Sequence, residues 1–235
     1  MDKKIALCIP SRGRRKVLQN FIDSFDVTET GYSEILLRNG YNDVTLKEYL
    51  DIDHPKIHHV IGTDTGFDGW PTAGYCFAIQ DLVERYPNYD YYGMMEDDCL
   101  LLDKGWDQWM ISTFEEKFPH GIGLIEFTDI TGGIHALFTS KKQIETLGYF
   151  LDRRVREQAW ESLLHLNGNE NTIRGSRIQH CPTPRGQYRN DLGFAGMDPE
   201  IVRLWTEDQL LLKQWKESIY PIEKQKLNEV TRQDG

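Results

Sequence analysis

Short apolar runs alternate with amphipathic helical stretches along most of the 235 residues, and this alternation predicts an α/β layered domain. Two further observations support that class. Three acids, Glu96-Asp97-Asp98, follow directly on an apolar run, and the carboxyl ends of strands are where open α/β sheets place their ligands. With 6 Trp, 11 Tyr and 10 Phe in a chain that is 39% hydrophobic, there is material for a sizeable core, which excludes disorder for most of the sequence.

The elements follow in order. Residues 3–10 (KKIALCIP) place Ile5, Leu7 and Ile9 in an apolar run stopped by Pro10, which reads as a buried strand. Val17, Leu18, Phe21, Ile22 and Phe25 recur at helical spacing and predict a helix over about residues 14–25. Strands are expected at 34–38 and 56–61, with a short helix near 45–50 between them. Gly66, Gly69 and Pro71 punctuate a loop, and Pro71 suits the first turn of a helix that turns Ala73, Phe77, Ile79, Leu82 and Val83 inward. Residues 91–95 read as the strand that ends in the three acids.

Beyond it, Trp106, Trp109, Met110, Phe114 and Phe118 mark a helix. Strands are expected at 122–127 and 135–139 around a Gly132-Gly133 turn, and Ser140 is placed to cap a short helix. A further helix is expected over 157–166 and a last strand over 177–180. Residues 181–197, rich in proline and glycine, read as a long loop. Asp198-Pro199-Glu200 opens a C-terminal amphipathic helix, and the polar end after Pro221 is expected to fray. One domain over residues 1–181 with an appendage at 182–235, packed on the same domain, is the expected organisation.

The net charge of −10 argues against non-specific nucleic-acid binding. Its distribution is uneven. Residues 1–20 hold six basic groups against one acid, and all seven basic residues in 150–190 are arginines, a residue suited to phosphate and carboxylate. No apolar run approaches the roughly 18 residues that a membrane span needs. The start has too short an apolar run for a secretion signal, and four scattered cysteines support neither a zinc ribbon nor a disulfide framework, so a cytoplasmic home is expected.

Carboxylates as crowded as Glu96-Asp97-Asp98 repel one another unless a cation or hydrogen-bond donors offset them. A hard divalent ion does so, taking one or two carboxylates together with substrate phosphates. A solvated acidic turn is the plainer alternative. The order of motifs favours the first. A strand ending in Ile9-Pro10-Ser11-Arg12-Gly13-Arg14, a helix, a second strand, a Gly-rich turn with a helix, and a strand ending in Glu96-Asp97-Asp98 together resemble the GT-A nucleotide-sugar glycosyltransferases, especially the large family-2 group. The stretch from Gly148 to Asn169 is similar to that family's Gly-Gly-Phe-Asp segment with the helix after it, and the resemblance spans about residues 3–181.

The resemblance implies a GT-A fold: a mixed, mostly parallel sheet flanked by helices, here with a C-terminal helical appendage. It implies Mn²⁺ or Mg²⁺ held by Glu96, Asp98 and His180. It implies a donor pocket from Pro10, Ser11, Arg12, Asn39 and Asp97, with Asp68 or Trp70 from the Gly-rich loop, Trp70 being equally a core candidate; outside the resemblance, Arg185 sits on a loop expected to fold over the diphosphate. Separately, Asp129 follows a strand on the same sheet edge and is expected to meet acceptor or sugar hydroxyls. Three departures stand out. The acidic motif opens with Glu96 rather than Asp, Asn39 stands where an Asp often reads the base, and Glu157-Gln158 stands where Glu-Asp is expected. An inverting transferase needs a carboxylate as general base. Glu157 is the first choice, Asp152 and Glu161 are local alternatives, and the stereochemistry stays open.

The expected function is therefore metal-dependent transfer of a sugar from a nucleotide diphosphate donor, UDP-sugar favoured, to a hydroxyl acceptor. Polysaccharide, glycolipid and a hydroxymethylated DNA base are open acceptor classes, and no integral membrane segment is expected. Two alternatives stand beside it: a nucleotidyltransferase of the same fold, and an inactive sugar- or nucleotide-binding domain. The basic Gly13-Arg14-Arg15 has too few glycines for the phosphate loop typical of nucleotidyltransferases.

Overall fold

A computed structural model describes residues 3–40, 46–62, 71–128, 134–175, 178–180 and 199–233. Its strands are β1 (Ile5–Pro10), β2 (Ser33–Gly40), β3 (Ile57–Gly62), β4 (Tyr91–Met95), β5 (Cys99–Leu101), β6 (Leu124–Thr128), β7 (Ile134–Ser140), β8 (Thr172–Gly175) and β9 (Ile178–His180). Its α-helices are α1 (Arg15–Thr28), α2 (Leu46–Leu50), α3 (Pro71–Arg85), α4 (Trp106–Lys117), α5 (Lys141–Leu147), α6 (Ala159–Asn167), α7 (Pro199–Ser218) and α8 (Tyr220–Gln233). A 3₁₀ segment, Arg153–Gln158, leads into α6.

Seven strands form one sheet in the order β3-β2-β1-β4-β7-β6-β8. Every neighbouring pair is parallel except the two that β7 makes with β4 and β6. The sheet is thus mixed and mostly parallel, as expected. The order runs outward in one direction from β1 through β2 to β3 and in the other from β4, so the switch point lies between β1 and β4, where such sheets open a crevice at the strands' carboxyl ends. β5 and β9 form a separate antiparallel pair.

Alternation along β1 explains the layering. Ile5, Leu7 and Ile9 face one core with Leu18, Phe21 and Phe25 of α1 and Trp106, Met110 and Phe114 of α4. Ala6 and Cys8 face the other, with Ile79 and Leu82 of α3, Leu163 of α6, and Trp215 of α7. Strands covered on both faces read as continuous apolar runs, which is how β1 announces itself in the sequence. β4 needs Gly93 at its centre because a methyl there falls inside the envelope of the Phe138 ring on β7. Ser140 caps α5 by accepting from the Gln143 N–H, and Gly148 ends that helix at φ 85°.

Four local differences from expectation have physical reasons. β5 and β8 are too short, at three and four residues, to show a period. The helix expected from residue 157 starts at Ala159, because Arg153–Gln158 coils as the tighter 3₁₀ form and Arg156 takes φ 46°. The chain after Pro221 does not fray. It forms α8, with Leu227 buried, Glu223 paired to Arg154, and Lys224 donating to the Leu166 carbonyl. A tertiary anchor of this kind overrides a weakly patterned polar helix. α7 is fixed in turn by Trp215, whose indole N–H donates to Asp152 at 2.8 Å. The Asp198 cap and the 181–197 loop lie outside the described residues.

Candidate active site at the switch point

The ends of β1 and β4 lie side by side, with Cys8 opposite Met94, so the segment after Pro10 faces the segment after Met95. Pro10 halts β1, and Gly13 turns the chain at φ 67°, a left-handed conformation natural to glycine, into α1. The turn is tied down from three sides. The Ser11 N–H donates to the Arg38 carbonyl at 3.0 Å, the Asn39 amide donates to the Ser11 carbonyl at 2.8 Å, and the Arg14 N–H donates to the Tyr49 hydroxyl at 2.7 Å.

Facing it are the three acids, and each has a different environment. Asp97 is fully buried; its carboxylate accepts from the Ser11 hydroxyl at 2.5 Å and pairs with the Arg14 guanidinium. Burial pushes its pKa up to about 6, against the opposing pull of Arg14 and the Ser11 bond, with Asp98 and Glu96 adding to the rise. Asp98 is 8% exposed and takes the other arm of Arg14 at 2.8 Å. Glu96 is half-buried and meets His135 Nδ1 at 2.7 Å. The offset that the crowded carboxylates require is therefore supplied within the chain, by Arg14 for two of them.

Cys99 follows the acids directly, is fully buried, and has its thiol pKa pushed well up by burial and by the acids around it. Glu96, Cys99 and His135 each point one ligand-type atom into a common space, all within 4.8 Å of one another. Tyr75 on α3 borders the same cluster. Its hydroxyl is buried with no hydrogen-bond partner among the described residues, and burial and the nearby Glu96, Cys99, Cys76 and Asp97 raise its pKa well above the ordinary value.

Of the residues singled out in the sequence, Pro10, Ser11, Asn39, Glu96, Asp97 and Asp98 converge here. Arg12 is exposed on the same turn. Asn39, expected to face the base, is 1% exposed and braces Ser11. His180, expected as a metal ligand, is the backbone partner of Cys99 in the β5–β9 pair, so its position borders the cluster. Glu157 lies in the 3₁₀ segment before α6. Asp68, Trp70, Asp129 and Arg185 lie outside the described residues.

Sequence reasoning gave no role to Arg14, Cys99, His135 or Tyr75. Arg14 had a signal, since a basic turn after one strand must face the acidic turn after its neighbour once the two are adjacent. Cys99 sits next to the acids in sequence. His135 is brought in only by the β4–β7 register, which pairs Met95 with Ala136.

No family model matches this chain, and no curated protein does. Solved structures do. S. aureus TarS 1–349 in complex with UDP-GlcNAc superimposes with a TM-score of 0.61 at 10% identity, over 97% of this chain and 71% of that one. The mannosyltransferase PcManGT from Pyrobaculum calidifontis, in complex with GDP-Man and Mn²⁺, gives 0.57 at 9% identity over 98% of this chain and 74% of that one. A cytidylyltransferase from Leptospira borgpetersenii serovar Hardjo-bovis gives 0.52 at 12% identity over 75% and 76%. Against another TarS 1–349 structure, this chain spans 60% of the other's length. These likenesses establish the GT-A fold.

Proposed function

We propose that this chain is a metal-dependent glycosyltransferase that moves a sugar from a nucleoside diphosphate donor, a UDP-sugar first among them, to a hydroxyl acceptor. The observation that carries the reading is the juxtaposition of Ser11 and Arg14 with Glu96, Asp97 and Asp98 at the sheet's switch point. Structural neighbours of this fold were solved with UDP-GlcNAc and with GDP-Man and Mn²⁺, which supports the donor class.

In this reading Pro10, Ser11 and Arg12 line the nucleoside pocket, and Asn39 shapes it by fixing Ser11. Asp98, Glu96 and His180 hold the ion. The donor set fits one: Asp98 pairs with an arm of Arg14 and Glu96 with a histidine, and an ion can replace both contacts. When bound, a divalent ion supplies Lewis-acid stabilisation of the departing nucleoside diphosphate. Asp97 keeps Arg14 and the Ser11 turn in place, so the donor meets a preorganised wall. Glu157 takes the acceptor proton, and Asp129 orients the sugar or acceptor hydroxyl. Asp68, Trp70 and Arg185 complete the donor enclosure. Residues 182–235 belong to the same domain as an appendage, and the four scattered cysteines, with Cys8, Cys76 and Cys99 buried, support a reducing, cytoplasmic setting.

The test is donor turnover. The protein is incubated with UDP-, GDP- and CDP-sugars and Mn²⁺, and products are followed by phosphorus NMR. Release of a nucleoside diphosphate with free or transferred sugar is the expected result. The cytidylyltransferase likeness favours a second reading, nucleotidyl transfer, and pyrophosphate release from a nucleoside triphosphate and a sugar phosphate identifies it. No turnover with any donor sets both aside in favour of a binding domain.

A further inference from the structure

The geometry points to a transition-metal centre built by Glu96, Cys99 and His135, selective for Zn²⁺ or Co²⁺ over Mg²⁺, at the mouth of the switch-point crevice.

Three observations carry it. The ligand-type atoms of the three side chains already lie within 4.8 Å of one another, and Glu96 and His135 are in contact at 2.7 Å. A tetrahedral ion with bonds of about 2.0–2.3 Å holds its ligands roughly 3.3–3.8 Å apart, so each atom moves by about 1 Å or less to bind. That adjustment lies within side-chain torsion and needs no change of backbone.

Second, the backbone that presents the ligands is fixed. The Glu96 N–H reaches the His135 carbonyl at 3.4 Å, continuing the β4–β7 ladder, and the Cys99 N–H reaches the Glu96 carbonyl at 3.3 Å in the tight turn into β5. Ligands on rigid elements give a site of defined geometry. Third, Tyr75 places a buried hydroxyl, without a partner among the described residues, beside the cluster. A water on the ion's open position is the kind of partner such a hydroxyl takes, and three protein ligands with one open position is the arrangement of non-structural zinc sites.

The ligand chemistry decides the metal. Thiolate with imidazole and one carboxylate suits Zn²⁺ and Co²⁺, whereas Mg²⁺ demands near-octahedral oxygen and keeps its waters. The plainer account is that Cys99 is only a small buried apolar residue and that His135 only balances Glu96. That account predicts no metal-bound sulfur. The inference shares Glu96 with the donor-site reading, so its test contains no nucleotide.

Apo protein is titrated with Co²⁺ and followed by absorption. The expected result is one equivalent bound, with a near-ultraviolet thiolate-to-cobalt charge-transfer band and intense tetrahedral visible bands. Equimolar Zn²⁺ removes them, and excess Mg²⁺ does not. Cys99→Ser abolishes the charge-transfer band. His135→Ala keeps the band but weakens Co²⁺ binding by about tenfold or more. Should Cys99→Ser fail to fold, as its far-ultraviolet circular dichroism will show, His135→Ala carries the test alone. No bound Co²⁺, binding without the sulfur band, or a band that survives Cys99→Ser overturns the inference. A negative Co²⁺ titration beside a positive nucleotide titration with Mg²⁺ removes this centre alone. The reverse pattern removes the donor-site reading alone.

Discussion

Replacing Arg14 with methionine keeps most of the side chain's volume and removes the cation between Asp97 and Asp98. Breaking a buried pair from one side costs about 3–5 kcal/mol, because it leaves the other charge buried and uncompensated. Here Asp97 has an escape, since it can take up a proton. Its ordinary pKa is 3.8, and burial already raises it to about 6. A raised carboxyl pKa means that stability is fully present below 3.8 and falls as pH rises toward 6. Holding Asp97 protonated at pH 7 spans about 3 pH units at about 1.4 kcal/mol each, which caps its total penalty near 4 kcal/mol. With the Arg14 hydrogen bonds lost as well, we expect Arg14→Met to destabilise the fold by about 3 kcal/mol at pH 7. The wild type already carries about 3 kcal/mol of that penalty at pH 7, so the share of Asp97 in the deficit is about 1.4 kcal/mol; at pH 5 it vanishes, and the difference should shrink to about 1.5 kcal/mol. Urea denaturation at the two pH values measures both. Adding Asp97→Asn should restore most of the loss at pH 7. A deficit below about 1 kcal/mol at pH 7, or one that does not shrink in acid, refutes the reasoning.

Two further outcomes follow from the same structure. Gly93→Ala pushes a methyl into the Phe138 ring, which is packed against Phe127 at 4.8 Å and Trp106 at 6.0 Å, so it should cost about 1–3 kcal/mol in urea denaturation; a change under about 0.5 kcal/mol would mean the ring has room to move. Glu34 has burial raising its pKa, but hydrogen bonds from Tyr89, Lys4 and His58 outweigh it and hold the value down to about 2. Its contribution to stability is present above pH 4.5 and is lost as pH falls toward 2; Tyr89→Phe, which removes a 2.5 Å bond, should move the Glu34 carboxyl titration in NMR upward, and an unmoved titration rules out that bond as the cause.

How far the sequence discloses this molecule depends on how local each feature is. β1 and β4 were legible because strands buried on both faces are continuous apolar runs, and Pro10 and Glu96 mark where each stops. α1 was legible from its inward stripe of Leu18, Phe21, Ile22 and Phe25. α8 was not, because its burial comes from Leu227 and from polar ties to Arg154 and Leu166 that only the fold supplies. The acidic motif was likewise readable in one dimension, whereas its partners were not. Arg14 lies 83 residues from Asp97 and His135 lies 39 from Glu96, and strand order and register bring them together. Charge crowding alone pointed to a metal; the structure adds that an arginine already offsets two of the three acids.

The most direct test of the central claim is calorimetric titration of UDP, GDP and CDP with and without Mn²⁺, on the wild type and on Asp98→Ala. The donor-site account predicts that one diphosphate binds in a metal-dependent manner and that Asp98→Ala removes the metal-dependent part. Absence of nucleotide binding, or binding that Asp98→Ala leaves unchanged, contradicts it.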